Sequence, residues 1–407
     1  VTDKPVVTVG RFTSPDTMVA QVRRGITDFI GAARPSIADP FLPKKIETGD
    51  LAAIRECIGC NVCYASDSIG VPLRCTQNPT MGEEWRQGWH PEIIPARTGD
   101  ERVLIVGAGP AGLEAARALG ARGYAVMLAE AGRDLGGRVT REAALPGMSE
   151  YIRVRDYREQ QLLGLPNVEV FRDSRMGADD VFAVEADHVA IATGARWRAD
   201  RFDGETYVPV AEGAAAGRVL TADDIMDGRL PEGPVVVFDG DGYYLGGVIA
   251  ERLRAAGLPV TLVTPADGVS PWASYTSERA RIQTRLVALG IGIETGRVLA
   301  RFDGRAALLE CVYGGAERSL AAEHVVMVTA RRPADALFHE IAGRAGAEGL
   351  PFTLARIGDC EAPAIIAAAV HAGHRYAREL GRAVDPDRPL RHDRVDVAAP
   401  APEAAAR

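Results

Sequence analysis

The chain has 407 residues, 47% hydrophobic and 25% charged, which supplies ordinary globular cores, excludes global disorder and, at roughly 100–200 residues per domain, predicts two to four domains. With 47 Lys+Arg against 55 Asp+Glu the formal net charge is -8, and this argues against a dedicated nucleic-acid binder, which needs a basic excess to neutralise phosphates. No apolar run approaches the ~18 residues of a membrane span and no apolar signal core opens the chain, so a soluble, cytoplasmic protein without nucleic-acid or membrane partners is expected.

The first elements are short. Residues 5–9 read as a strand ending at Gly10 and Arg11. A helix follows, with Ser14 as its cap, Pro15 at its first position, Asp16 in its first turn and Met18, Val19 and Val22 as its apolar stripe. A second short buried strand over residues 28–32 leads into Ala33, Arg34 and Pro35. Strands alternating with helices imply a parallel sheet, yet two parallel strands close nothing and leave unpaired edges. They read as the last two units of a (β/α)8 barrel, an architecture of about 250 residues. The expectation is therefore a C-terminal fragment, or a chain whose upstream barrel portion is a separate polypeptide. Barrel enzymes commonly bind phosphate with the loops after strands seven and eight, and the guanidinium fork suits two phosphate oxygens at once. Gly10, Arg11, Ala33 and Arg34 are the candidate contacts; the competing reading is two surface arginines that happen to follow strands.

Six cysteines are unevenly spread. Four lie between Cys57 and Cys75, while Cys311 and Cys360 stand alone. A disulfide scaffold distributes many cysteines over a short secreted chain, whereas a tight group in a long chain reads as a metal site. Cys57, Cys60, Cys63 and Cys75 give C-x2-C-x2-C-x11-C, and three close thiolates plus a remote one suit the corners of a cubane 4Fe–4S cluster. Structural zinc more often takes two separated pairs or includes His, and no His has ligand spacing within the group. Gly59 gives the backbone freedom to wrap a bulky inorganic core. Zinc and four unliganded thiols are the alternatives to iron–sulfur.

Residues 102–106 read as a buried strand, followed by Gly107, Gly109 and Gly112 and a helical run from Leu113 to Leu119. Strand, glycine turn and helix are the context a dinucleotide fingerprint requires. Its glycines let the backbone approach a pyrophosphate, and the helix N-terminus favours the negative charge. A second strand over residues 125–129 ends at Glu130, where an acid can hold ribose hydroxyls. A further buried strand ends in the small-residue turn at 191–195. Residues 235–238 then read as the first strand of another such unit, with a helix over 248–256 and a strand over 260–263. Its fingerprint is damaged: Tyr243 falls near the place of the second glycine, and acidic residues flank the turn. Bulk and negative charge both oppose NAD(P)H there, so a domain kept for packing is expected. Arg331 and Arg332, after a strand over 325–329, read as solvated surface charges. Near the C-terminus Asp359 precedes a helical run over 364–380, where it either bonds a nucleotide's sugar or polyol or caps the helix. The Pro-, Ala- and charge-rich tail from Arg382 reads as an extended arm or a disordered end.

Taken together, the segment Ala33-Arg34-Pro35-Ser36-Ile37-Ala38-Asp39-Pro40, the run Cys57 to Cys63, Cys75-Thr76-Gln77-Asn78, Gly82 to Trp85, Gly88 to Glu92 and the Gly107–Gly112 turn resemble the C-terminal part of the trimethylamine dehydrogenase family, which includes dimethylamine and histamine dehydrogenases. The resemblance runs from Pro5 to about Leu380; Glu130 to Arg138 and the Tyr243-Tyr244 turn most resemble the histamine dehydrogenase branch. It implies an N-terminal barrel with covalently attached FMN, a 4Fe–4S cluster, and ADP bound where related reductases hold FAD. It further implies that a small amine is oxidised at the flavin to an iminium that hydrolyses, with electrons leaving singly through the cluster to an electron-transferring flavoprotein. On that resemblance Gly10, Arg11, Ala33 and Arg34 fall at the FMN phosphate, and Cys57, Cys60, Cys63 and Cys75 ligate the cluster. Gly107, Gly109, Gly112, Glu130, Arg138 and Asp359 line the ADP site. The flavin-linking and amine-binding residues are expected upstream of Val1, so no catalytic residue is assigned in this chain, and a homodimer is expected.

The expected division is a barrel end at 1–50, a cluster segment at 51–98, a dinucleotide-binding domain at 99–212 and 331–381, an inserted degenerate NAD(P)-type domain at 213–330, and a tail at 382–407. Two other functions compete. Dienoyl-CoA reductase and related ene reductases share the architecture but reduce a carbon–carbon double bond with NADPH through FAD, cluster and FMN. They need an intact second nucleotide site, and their cysteine spacing tends to carry one more residue before the third ligand. A non-catalytic electron-transfer subunit is opposed by the barrel remnant at 6–34.

Overall fold

The computed structural model describes residues 2–199, 217–347 and 349–382; the expected boundary at 212/213 and the tail beyond Arg382 lie outside the described residues. The fold is α/β. One five-stranded sheet is wholly parallel, in the order Thr353–Arg356, His188–Ile191, Arg102–Val106, Ala125–Ala129, Val168–Phe171. The central strand is a near-continuous apolar run because a parallel sheet is covered on both faces: Val103 and Ile105 pack with Leu113, Leu119 and Leu128 on one side, Leu104 and Val106 with Val181 and Ile341 on the other.

In sequence, a second parallel sheet is inserted between two strands of the first. Its order is Gly292–Glu294, Val260–Val263, Val235–Asp239, His324–Val328, Val219–Thr221. An antiparallel three-stranded layer, Arg297–Phe302, Ala306–Cys311 and Arg318–Ala321, covers one face through Leu299, Phe302 and Leu309. The chain leaves and re-enters the first unit along a two-stranded antiparallel ribbon, Ala195–Trp197 with Arg331–Pro333.

The N-terminal segment is looser than its sequence predicts. Its strands are only Val7–Thr8 and Phe29–Ile30, paired in parallel, and Phe29 is exposed, as are Val6, Val7 and Val9. Helix Pro15–Arg23 has Pro15 and Asp16 where expected, but Ser14 makes no side-chain cap bond. Of the expected stripe only Met18 is buried; Val19 and Val22 are exposed. The cause is geometric: among the described residues each strand has one neighbour, so only the helix side facing Leu42 and Ile54 finds apolar partners. No helix among the described residues is long and apolar enough to cross a membrane.

The fingerprint helix Pro110–Arg122 packs along the C-terminal helix Ile366–Glu379 around a buried ionic knot. Glu114 takes an Arg117 hydrogen bond at 2.6 Å and pairs with Arg158 Nε at 2.9 Å and His374 Nδ1 at 2.8 Å. Arg378 Nε donates to His374 Nε2 at 3.1 Å, so that nitrogen is unprotonated and the ring is neutral, its proton on Nδ1 facing Glu114. Burial pushes His374 down to about 4. For Glu114 burial opposes ionisation, but the Arg117 and Arg158 guanidinium groups outweigh it and hold the carboxyl well below its usual range. Above about pH 6.5 the imidazole is neutral in both folded and unfolded chains; between about pH 6.5 and 4 only the unfolded chain takes the proton. Stability is therefore expected to fall as pH drops through that window, with Glu114 adding its own loss at lower pH. Urea midpoints measured from about pH 7.5 to 5 should show the decline, and His374→Gln should flatten it.

Candidate functional site

The four cysteines of the motif line one small pocket, of about 10 Å³, with Arg34, Asn61, Thr76 and Gln77 among its walls. Gly59 (φ 74°) and Asn61 (φ 55°) each turn the loop through the left-handed region, which glycine and asparagine tolerate best. Helix Val62–Ser68 then carries Cys63. The Gly59 N–H donates to Cys57 Sγ at 3.4 Å, and the Thr76 hydroxyl lies 3.2 Å from Cys60 Sγ. The sulfurs open onto the pocket, yet packed protein surrounds it, and burial pushes the Cys60 thiol up to about 11 and Cys75 up to about 12. Such thiols ionise only when a cation replaces their protons. No carboxylate or imidazole stands on the pocket wall. Among the described residues no three His, Cys, Asp or Glu groups are arranged around a single ion. Four thiols on one pocket wall are a donor set that suits a thiolate-bound metal centre.

The two strand-end arginines reach this loop. Arg11 Nη1 donates to the Gly59 carbonyl at 2.9 Å, and Arg34 Nη1 to Asn61 Oδ1 at 2.7 Å. Gly10 precedes Arg11, and Ala33 opens the short helix Arg34–Ala38. Asn61 Nδ2 in turn donates to the Thr276 carbonyl at 2.9 Å. Asn61 and Thr276 were not singled out from the sequence, because nothing local marks a contact between residues so far apart in the chain.

A larger cavity of about 790 Å³ opens at the glycine turn. Gly107 has φ 106°, and a Cβ there would come within 2.5 Å of the Ala192 carbonyl; at Gly112 it would strike the carbonyl of Gly107. At Gly109, the residue preceding the helix, the corresponding space is open. Gly107 and Gly112 thus permit close backbone packing, while Gly107 and Gly109 line the cavity. Glu130 Oε2 accepts from the Ala108 N–H at 2.8 Å and Oε1 from Gly132 at 2.9 Å, fixing its carboxylate on the cavity wall.

Asp359 is the centre of a second clamp. Its Oδ2 accepts from Arg138 Nη1 at 2.9 Å and Arg331 Nη1 at 2.6 Å, and its Oδ1 from the Ala364 N–H at 3.0 Å. It is therefore not a simple helix cap: Ala364 lies ahead of the helix that starts at Ile366. Arg331 departs from the sequence expectation. It is no solvated charge but a cavity-lining, largely buried guanidinium 5.4 Å from the Trp197 ring, brought inward by the ribbon strand it sits on. Arg332, its neighbour on that strand, is exposed.

In the inserted unit the turn after strand Val235–Asp239 carries two adjacent tyrosines. Asp239 Oδ1 accepts from the Gly242 N–H at 2.9 Å. The Tyr243 and Tyr244 rings pack 4.7 Å apart, Tyr151 lies 5.7 Å from Tyr244, and the Tyr244 hydroxyl donates to Glu142 at 2.6 Å. Glu142 also pairs with Arg138 at 2.7 Å, linking this turn to the larger cavity.

Residues 101–349 match the pyridine nucleotide-disulphide oxidoreductase family, and residues 1–51 the NADH:flavin oxidoreductase / NADH oxidase family. The chain is 41% identical over 410 residues to dimethylamine dehydrogenase of Hyphomicrobium sp. (strain x), which covers 93% of this chain and 55% of that protein. Histamine dehydrogenase from Rhizobium sp. 4-9 is 49% identical with a TM-score of 0.90, over 95% of this chain and 60% of that one. The 6-hydroxypseudooxynicotine amine oxidase from Pseudomonas geniculata N1 is 48% identical with a TM-score of 0.90, over 94% and 57%. The chain spans between 55% and 60% of the length of these relatives. The chain therefore belongs to the pyridine nucleotide-disulphide oxidoreductase family, and along nearly all of its own length it is similar to the dimethylamine and histamine dehydrogenases.

Proposed function

We propose that the protein carrying this chain oxidises a small amine at FMN and passes the two electrons, one at a time, through a 4Fe–4S cluster to an electron-transferring flavoprotein. When bound, the flavin supplies two-electron chemistry and the cluster single-electron transfer. The observation that carries the reading is the pair of hydrogen bonds from Arg11 and Arg34 to the cysteine loop. The loops expected to meet the FMN phosphate, with Gly10 and Ala33 small enough to admit it, are the ones braced against Gly59 and Asn61. Cys57, Cys60, Cys63 and Cys75 hold the cluster in a pocket too small for bulk water to screen it.

In the larger cavity Gly109 gives a pyrophosphate access to the helix N-terminus. Glu130 keeps lone pairs for ribose hydroxyls, and Arg138 and Asp359 bound the far side. The ligand proposed there is ADP; FAD belongs to the competing ene-reductase reading, which the tyrosine-bearing second turn opposes. A cytoplasmic homodimer completes the proposal.

The test is anaerobic purification of the full-length protein, metal and sulfide analysis, and a screen of small amines against an artificial one-electron acceptor. About four iron atoms per chain and flavin bleaching by an amine are expected. Zinc or no metal would overturn the cluster assignment; rapid bleaching by NADPH would favour the ene reductase.

A further inference from the structure

We infer that Arg158 is a positioning residue for the sulfur site, holding the turn of residues 75–78 in the form that hydrogen-bonds the cluster sulfurs and thereby setting the cluster's reduction potential. This rests on the iron–sulfur reading above. Arg158 lies on helix Arg153–Leu163 and is fully buried. Its Nη1 donates to Gln77 Oε1 and its Nη2 to the Gln77 carbonyl, each at 3.0 Å, so one guanidinium grips a single residue by side chain and backbone together. Its Nε faces Glu114 at 2.9 Å, which balances the charge.

Gln77 is on the pocket wall, and its amide donates at 3.1 Å to the carbonyl of Glu56, the residue before Cys57, and to that of Arg153. In the same turn the Thr76 hydroxyl meets Cys60 Sγ, and the Asn78 side chain donates to the Ile37 carbonyl at 3.0 Å and accepts from Thr80. Hydrogen bonds to cluster sulfurs are one of the factors that set the potential, by stabilising the more electron-rich state. A planar fork can hold two carbonyl oxygens and a carboxylate in one geometry; an ammonium cannot.

The experiment compares wild type, Arg158→Lys and Gln77→Leu in the full-length holoenzyme, with Arg285→Met as control because Arg285 pairs with Glu251 at the surface. Iron and sulfide are quantified, and the cluster potential is read by redox titration followed by electron paramagnetic resonance. Both test variants should titrate at more negative potential than wild type and the control. Loss of iron from either, with an unchanged circular dichroism spectrum, supports the same role. Full iron and an unshifted potential in both variants would overturn the inference alone. Absence of iron from wild type would instead remove the reading beneath it.

Discussion

Replacing Cys75 by alanine is expected to lower the iron content of the purified protein and to cut amine-dependent reduction of a one-electron acceptor by about 10²-fold or more. Even the loss of an outer partner of a metal site costs roughly 10–100-fold, and Cys75 is proposed as a direct ligand. The residue is remote from Cys57, Cys60 and Cys63 in sequence but lines the same pocket. With its sulfur gone, Thr76 and Gln77 offer only neutral oxygen and nitrogen to a thiophilic core. Cys311, at the end of strand Ala306–Cys311 in the antiparallel layer, is the internal control: Cys311→Ala should leave both readouts unchanged. Colorimetric iron assay and steady-state turnover on the same preparations check the pair, and a Cys75→Ala protein with wild-type iron and turnover would remove Cys75 from the ligand set.

The largest effect on stability is expected from Glu114→Ala. Glu114 is the one carboxylate in a knot with Arg117, Arg158 and His374, all within 2.9 Å of it and all buried. Removing one partner from a buried ion pair leaves uncompensated charge in a poorly polarisable interior and costs about 3–5 kcal/mol. Two guanidinium groups are stranded here, so the loss should lie toward the upper end of that range. Glu114→Gln keeps the shape and one acceptor and should lose less. Urea unfolding at neutral pH, read by circular dichroism, measures both. A loss below about 1 kcal/mol for the alanine variant would mean that the arginines find other partners or water.

What could be read from the sequence is what chemistry writes locally. The C-x2-C-x2-C-x11-C spacing brings its four members to one pocket, and Gly107, Gly109 and Gly112 sit where a strand passes into the helix that follows it in sequence. The contacts that define each site's surroundings are distant in sequence. Arg331 looks like a surface charge until the ribbon with Ala195–Trp197 turns it toward Asp359 and Arg138. Nothing near Gln77 announces Arg158, and nothing near Asn61 announces Thr276. At the N-terminus the error ran the other way: a helical apolar stripe promised burial for Val19 and Val22 and a short apolar strand for Phe29, but burial depends on what packs alongside, and periodicity carries no information about that.

The bond from the Asn61 amide to the Thr276 carbonyl limits how this molecule can be cut down. A truncation ending before Val219 would retain every cysteine of the motif, yet it would free the asparagine that accepts from Arg34. The sulfur loop cannot be excised at the motif's edges without losing this bond; the section that carries Thr276 has to travel with it, as a splint.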